Sequence, residues 1–152
     1  MILEFETQVS SIPDYSELIA LCVDVFSKNT DRHFQEMTVS IAIVSENTIQ
    51  DLNARFRQKH AVTDVLSFPL WNEENIQSFP EQILGEIMIC YTKAHTQALH
   101  LNHSIEYEIA TLCLHGLCHL VGYDHQTDED YKTMKDKETY LIQQVQQYYF
   151  FS

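Results

Sequence analysis

The stretch LCLHGLCHLVGYDH, residues 112–125, combines a helix, its end and three histidines. His115 and His119 are four residues apart, so on a helix their side chains lie one turn apart on the same face. Gly122 can adopt the left-handed conformation that ends a helix, which allows His125 to fold back toward that face. The leucines between them predict a mostly buried helix, in which unpaired imidazoles are energetically costly. We therefore predict that His115, His119 and His125 form a metal site.

Three neutral imidazoles leave one coordination position open for water, which is typical of catalytic rather than structural zinc sites. The pattern H-x-x-x-H-x-x-G-x-x-H overlaps the metzincin protease pattern, H-E-x-x-H-x-x-G-x-x-H. Position 116 is glycine in this chain, whereas the proteases have their general-base glutamate at that place. Glycine cannot accept a proton, so peptide hydrolysis by that route is not expected.

The composition is that of one folded domain. The 152 residues are 45% hydrophobic and 20% charged, and such a chain can bury a core without disulfides. No apolar run approaches the roughly 20 residues that span a bilayer, and the N-terminus lacks the basic leader of a signal peptide. We therefore expect a cytoplasmic protein with reduced, buried cysteines. These are Cys22, Cys90, Cys113 and Cys118.

The net charge of −13 argues against broad, non-specific attraction to nucleic acid, because phosphate binding depends on Lys and Arg and only nine are present. Three of the nine, Arg55, Arg57 and Lys59, fall within five residues. This cluster is compatible with a small, locally positive cleft and equally with a solvated helix end.

Strand-like runs of β-branched and apolar residues occupy residues 2–8, 37–44, 63–70 and 84–91, the third ended by Pro69. The helical pattern within residues 13–30 has Asp14 as its predicted N-cap, and the helix over 45–58 has Ser45. Further helices are predicted at about 92–101, 104–121 and 128–149, and a polar loop over 71–82. The fold class predicted is α+β: a single domain with a small mixed sheet covered by helices, and a metal-binding helix in the C-terminal half.

The histidine block HGLCHLVGYDH closely resembles the signature of the bacterial YbeY family of single-domain, metal-dependent endoribonucleases. LNARFRQKHAVTDVLSFP, residues 52–69, and LGEIMIC, residues 84–90, are similar to two further blocks of that family. Met134 and Glu138 fall where the family has a methionine and a glutamate in its last helix. The resemblance covers residues from about 40 to 140. Its departures are His60, Val62 and Glu86, none of which is an expected metal ligand.

The resemblance implies that residues 1–152 form one YbeY-like hydrolase domain that binds one zinc ion through His115, His119 and His125. The implied activity is a single-strand-specific endoribonuclease that acts in maturation of the 3′ end of the small-subunit ribosomal RNA and in ribosome quality control. Metal-activated water would attack a phosphodiester. Arg57 matches the family's arginine and would bind the phosphate, so the expected catalytic residues are Arg57 and the three histidines.

The partners implied are ribosomal RNA and the small ribosomal subunit, with ribosomal proteins or GTPase assembly factors as candidate protein partners, and neither DNA nor a membrane. Because the chain is strongly acidic, we expect a partner to present the substrate. The alternatives are a zinc-dependent hydrolase of another substrate, a non-enzymatic, zinc-stabilised ribosome assembly factor, and a domain whose histidines are incidental.

Several other polar residues have open roles. Asp124 is expected either to orient an imidazole or to cap the turn that carries it. Asp64 and Ser67 are expected near the cleft, without an assigned role in the chemistry. Glu106 and Glu108 complement the dipole at the start of the histidine helix. The remaining histidines have no spacing that indicates metal binding and are predicted to be surface residues: His33, His60, His95, His100 and His103.

Overall fold

The computed structural model describes residues 1–72 and 82–151. Within these ranges four strands and five α-helices follow one another along the chain. The strands are β1 (Ile2–Thr7), β2 (Thr38–Val44), β3 (Val65–Pro69) and β4 (Ile83–Cys90). The helices are α1 (Ser16–Lys28), α2 (Glu46–Arg57), α3 (Tyr91–Leu101), α4 (Ile105–Leu120) and α5 (Asp128–Gln146), with a short 3-10 helix at Arg32–Phe34.

The four strands form one mixed sheet in the order β1-β2-β4-β3. β1 pairs with β2, and β2 with β4, in parallel, whereas β3 pairs with β4 in the antiparallel direction. Parallel neighbours need a crossover connection, and α1 provides it between β1 and β2. β3 lies at the edge of the sheet, where Pro69 is tolerated as its last residue. The prediction of a single α+β domain with a small mixed sheet is confirmed.

Alternation along β2 separates the two faces of the sheet. Ile41 and Ile43 belong to the main core, which also contains buried residues of α1, α4 and α5. Ala42 and Val44 point to the other side and join a smaller cluster with Ile49 of α2. Helices therefore lie on both faces of the sheet at the end of β2, which explains why its last four residues are all apolar and buried.

Helix α4 is central, because it contacts β3, β4, α1, α3 and α5. The hydroxyl oxygen of Ser104 caps its start by accepting a hydrogen bond from the backbone N–H of Tyr107 at 3.1 Å. From position 108 to its end, every residue of α4 is buried except Thr111, His115 and His119. These three residues are spaced by four, so the helix offers a single half-exposed stripe, and two predicted ligands occupy it.

Trp71 connects the end of β3 to the end of α4. Its indole Nε1–H donates to the carbonyl oxygen of Leu120 at 2.6 Å, and its ring packs edge-on against Phe34 with centroids 4.9 Å apart. The last carbonyl groups of a helix lack partners within it, so this bond satisfies one of them.

The predicted element boundaries differ from the observed ones by a few residues at most. The predicted N-cap of α1 is wrong: the helix begins at Ser16 with Tyr15 as N-cap residue, and no side chain caps it. Asp14 lies one residue earlier, where its Oδ1 accepts from the backbone N–H of Ser16 at 2.9 Å. Ser45 does cap α2, as predicted. Most of the predicted loop over 71–82 lies outside the described residues.

All four cysteines are buried and free, as predicted. Burial raises the pKa of the Cys118 thiol to about 12, so this thiol is not reactive at neutral pH. Among the described residues, no helix has the length and apolar character needed to cross a bilayer.

We predict that Gly85→Ala destabilises the fold. A Cβ at position 85 would collide with the carbonyl oxygen of Phe68 on β3 and would lie 2.7 Å from Cδ2 of Leu120 on α4. We expect a loss of about 1–3 kcal/mol in the free energy of unfolding, measured by urea denaturation.

Gly116→Ala is the matched control. A Cβ there would lie 3.0 Å from two side-chain carbons of Ile87 and 3.1 Å from Oγ of Ser67, so these side chains must shift slightly, whereas at Gly85 the closest atom is backbone. Alanine also favours the helix by about 1 kcal/mol, so we expect a smaller loss than for Gly85→Ala. Equal losses in the two variants would contradict the account of Gly85.

Candidate metal centre

The end of α4 brings the three predicted ligands to one place. After Leu120 the chain turns at Gly122, whose φ of 106° is accessible to glycine at little cost. The backbone N–H of Gly122 donates to the carbonyl oxygen of His119 at 3.1 Å, and that of Tyr123 donates to Cys118 at 3.0 Å. This turn folds the chain back, so His125 comes to lie beside the half-exposed stripe of α4.

The imidazole rings are within range of one another. Ring centroids are separated by 4.5 Å for His115–His119, 5.3 Å for His119–His125 and 6.4 Å for His115–His125. The Nε2 atoms of His115 and His119 are 3.1 Å apart. In a tetrahedral zinc site with Zn–N distances of about 2.0–2.1 Å, ligand nitrogens lie roughly 3.4 Å apart and ring centroids roughly 5 Å apart. The three centroid separations lie on both sides of the expected 5 Å, and the Nε2–Nε2 distance is slightly shorter than the expected nitrogen separation.

Two of the rings are fixed through their Nδ1 atoms. Nδ1 of His115 is hydrogen-bonded to Oε1 of Glu138 on α5, and Nδ1 of His119 is 3.0 Å from the carbonyl oxygen of Tyr123. An imidazole that donates Nδ1–H keeps a lone pair on Nε2, and ligating histidines usually have such an acceptor. Both bonds therefore select the tautomer in which Nε2 is free to bind a metal.

Electrostatics also favour the neutral form of His119. Burial lowers the pKa of this imidazole below its ordinary value, and the neighbouring His115 and His125 lower it further. The neutral ring is the form that binds metal, so the surroundings of His119 disfavour the protonated state that would compete with a cation.

The donor set of three imidazoles fits a divalent cation. Across residues 1–72 and 82–151, no group of three or more His, Cys, Asp or Glu side chains is arranged to hold a metal ion as it stands. His115 and His119 are already at ligand separation, whereas His125 is exposed on the turn and farther from His115. Metal binding by the three histidines stays a prediction.

The histidines line one side of an open cavity of about 690 Å³. Arg57, at the end of α2, lines the same cavity, and its expected role in binding the phosphate stays a prediction. Its Nη2 donates to the carbonyl oxygen of Ser67 on β3 at 2.8 Å, and its guanidinium lies 5.6 Å from the ring centroid of Phe68. These contacts use only part of the guanidinium, so Arg57 retains donors for an anion.

The other polar residues singled out in the sequence differ in their position relative to the cavity. Asp64 and Ser67 line the cavity, as expected. Asp124 accepts a hydrogen bond from the backbone N–H of His125 at 2.7 Å, so it caps the turn, the second of its two expected roles. His60 is exposed and is not among the residues that line the cavity.

His103 is not a free surface histidine. Its Nε2 lies 2.6 Å from Oε2 of Glu108, whose side chain is only 6% exposed. Asn102 ends α3 in the left-handed conformation with φ 55°, and this turn directs the following residue toward α4. Sequence spacing does not reveal the pair, because the turn and not a helical repeat brings the two side chains together.

We expect purified protein to contain one zinc ion per chain and His119→Ala to lose it. Removing this imidazole leaves one predicted ligand on α4 and one on the turn after it, and two ligands are too few for tight binding. Elemental analysis by mass spectrometry measures the stoichiometry. His100→Ala, which removes an exposed histidine of α3, is the matched control and should retain the metal. Zinc retained at full stoichiometry by His119→Ala would contradict this assignment.

Glu138→Gln should weaken zinc binding by about 10–100-fold, because the carboxylate that fixes the His115 ring is replaced by a neutral amide. Competition with a chromophoric chelator measures the affinity. Glu129→Gln removes the same charge from the exposed first turn of α5 and should bind zinc like the wild type. Equal affinities for all three proteins would show that Glu138 does not support the site.

Comparisons with known proteins give matches over most of the chain. The sequence model of the Endoribonuclease YbeY family matches residues 3–146. Endoribonuclease YbeY of Finegoldia magna is 36% identical over 142 residues, which cover 93% of this chain and 88% of that protein. Endoribonuclease YbeY of Carboxydothermus hydrogenoformans is 34% identical over 140 residues, which cover 90% and 94% of the two chains.

A solved structure has a similar fold. The solution structure of TM1509 from Thermotoga maritima superimposes with a TM-score of 0.65 at 28% sequence identity, covering 95% of this chain and 89% of that one. The match extends over nearly the whole length of both proteins, as do the sequence matches. The chain belongs to the YbeY endoribonuclease family.

Proposed function

We propose that this protein is a zinc-dependent endoribonuclease of the cytoplasm that cleaves single-stranded RNA in small-subunit ribosomal RNA maturation and ribosome quality control. Membership of the YbeY endoribonuclease family supports RNA cleavage and ribosomal RNA as the substrate class. The observation that carries metal dependence is the placement of His115, His119 and His125 on one cavity with Arg57.

The three histidines would hold the metal through their ring nitrogens. A divalent ion with three imidazole ligands supplies Lewis acidity and activates water near neutral pH. Glu138 holds the proton on Nδ1 of His115, which keeps Nε2 available and the ring oriented. The carbonyl oxygen of Tyr123 has the same role for His119.

Arg57 would bind the phosphate at the cleavage site. The hydrogen bond to Ser67 and the contact with Phe68 hold the guanidinium at the cavity before substrate arrives, so little conformational entropy is lost on binding. A guanidinium can bind two phosphate oxygens at once and offset the negative charge that develops on them during the reaction.

The overall charge indicates how the RNA reaches this cavity. At −13 the chain repels polyanions at long range, and the short cationic segment near Arg57, together with the proposed zinc ion, would oppose that repulsion at the site. We propose that the small ribosomal subunit, with a ribosomal protein or a GTPase assembly factor as candidate partner, presents the RNA.

The decisive experiment compares substrates and removes the metal. Zinc-loaded protein should cleave single-stranded precursor of the small-subunit ribosomal RNA, and neither duplex DNA nor peptides. Chelation should abolish cleavage and added zinc should restore it, and His119→Ala should be inactive in both conditions. Full RNA cleavage by His119→Ala would overturn the proposal. Hydrolysis of small phosphoesters without RNA cleavage would favour another hydrolase, and bound zinc without any hydrolysis would favour the assembly factor.

Arg57→Ala should lower kcat for RNA cleavage by about 100-fold or more. The variant lacks the guanidinium N–H groups that would stabilise the negative charge on the reacting phosphate. Its zinc content should be unchanged, which separates this loss from a loss of metal. The control is Arg55→Ala, on the same helix, whose guanidinium pairs with Asp51 at 3.6 Å and is not part of the cavity lining. An Arg57→Ala protein with wild-type kcat would remove the role assigned to this residue.

A further inference from the structure

The chain reverses direction directly after Arg57. Gln58 has φ 55° and ψ 33°, the left-handed conformation that ends a helix, and its backbone N–H donates to the carbonyl oxygen of Asn53. The N–H of Lys59 donates to the same oxygen at 3.2 Å. As a result, Arg57 and Lys59 both line the cavity, although they lie on either side of a helix end.

Lys59 has no acidic partner in the described part of the chain. No carboxylate of residues 1–72 or 82–151 lies within 4.0 Å of its ammonium group, whereas Lys28 pairs with Asp24 at 2.8 Å. An exposed, unpaired ammonium group on the wall of a cavity is available for an anionic ligand, and binding one requires no existing ion pair to break.

The carboxylates that line the same cavity are engaged with other groups. Oδ1 of Asp64 accepts from the backbone N–H of Val65 at 2.8 Å, and its Oδ2 accepts from Nε2 of Gln97 at 3.2 Å. Oδ1 of Asp124 accepts from the backbone N–H of His125 at 2.7 Å. Hydrogen bonds therefore hold both carboxylates against neighbouring groups, and neither lies within 4.0 Å of the ammonium group of Lys59.

We propose that Lys59 binds a phosphate of the RNA next to the one that Arg57 binds, and thereby determines affinity for the substrate strand rather than the rate of the chemical step. This inference rests on the proposed function. Arg57 is held by Ser67 beside the histidines, whereas Lys59 has a flexible stem that can follow a backbone. The fixed guanidinium of Arg57 therefore suits the reacting phosphate, and the flexible side chain of Lys59 suits a neighbouring one.

The kinetic signature separates the two roles. Lys59→Ala should raise KM for single-stranded RNA about threefold or more at low salt and leave kcat within about twofold. The lost contact would stabilise the bound substrate and the transition state equally, so its removal weakens binding without slowing the chemical step. Lys59→Arg should restore KM, since charge and not shape is required. Arg55→Ala removes an equal charge from the same helix outside the cavity and should have the wild-type KM.

A binding measurement tests the contact without cleavage. In the His119→Ala background, anisotropy of a fluorescein-labelled single-stranded oligoribonucleotide gives the dissociation constant at several salt concentrations. Each phosphate contact to a single strand contributes about 0.7 to the slope of log K against log salt, so adding Lys59→Ala should reduce the slope by about that amount. Adding Arg55→Ala should leave it unchanged.

The outcomes distinguish this inference from the proposed function. An unchanged KM and salt slope in Lys59→Ala, in a protein whose wild type cleaves RNA, would overturn the role of Lys59 alone. Equal effects of Lys59→Ala and Arg55→Ala would also overturn it, because net charge would then explain both. Absence of RNA cleavage by the wild type would overturn the proposed function. In that case a reduced salt slope in Lys59→Ala would still support the phosphate contact, and absence of RNA binding would overturn it.

Discussion

The close approach of α4 to the sheet is the constraint on which the rest of the structure depends. At Gly116 a Cβ would lie 3.0 Å from Ile87 of β4 and 3.1 Å from the hydroxyl oxygen of Ser67 on β3, so the helix backbone rests almost directly on the strands. This contact places the histidine stripe beside the edge strand that holds Arg57. It also explains the departure from the protease pattern, because a glutamate at position 116 would point into the sheet and not into the cavity.

Much of the fold could be predicted because the hydrophobic pattern of each segment matches the side chains that the structure buries. The strand runs and the helical periodicities gave each element to within a few residues, and Ser45 was correctly predicted as a cap. The failures are those of local rules: Asp14 carries a capping side chain, yet the helix starts after Tyr15, and the 3-10 helix at Arg32–Phe34 has no strong signal. The order of the strands could not be predicted from the sequence pattern, because the position of β4 between β2 and β3 depends on pairing between distant segments.

The candidate site was likewise predictable only in part. His115 and His119 could be predicted to share a face, because helical spacing alone decides it, and Gly122 indicated how His125 returns. The geometry that supports these rings comes from distant segments: Glu138 lies 23 residues after His115, and Arg57 reaches the cavity from α2. The resemblance to a known family marked both positions, but only packing reveals that Glu138 bonds Nδ1 of His115. Because Glu138 contacts Nδ1 and not Nε2, it would support His115 as a metal ligand and would not itself be a fourth ligand.

The indole of Trp71 has a practical consequence. It is the chain's single tryptophan, and it bonds the carbonyl oxygen of Leu120, the residue after His119. Intrinsic fluorescence excited through this side chain therefore arises from one known location, at the junction between the edge strand and the histidine helix. Spectroscopic changes on heating, or on titration with a ligand, can be ascribed to that junction without introducing any dye, and the protein contains its own local optical probe.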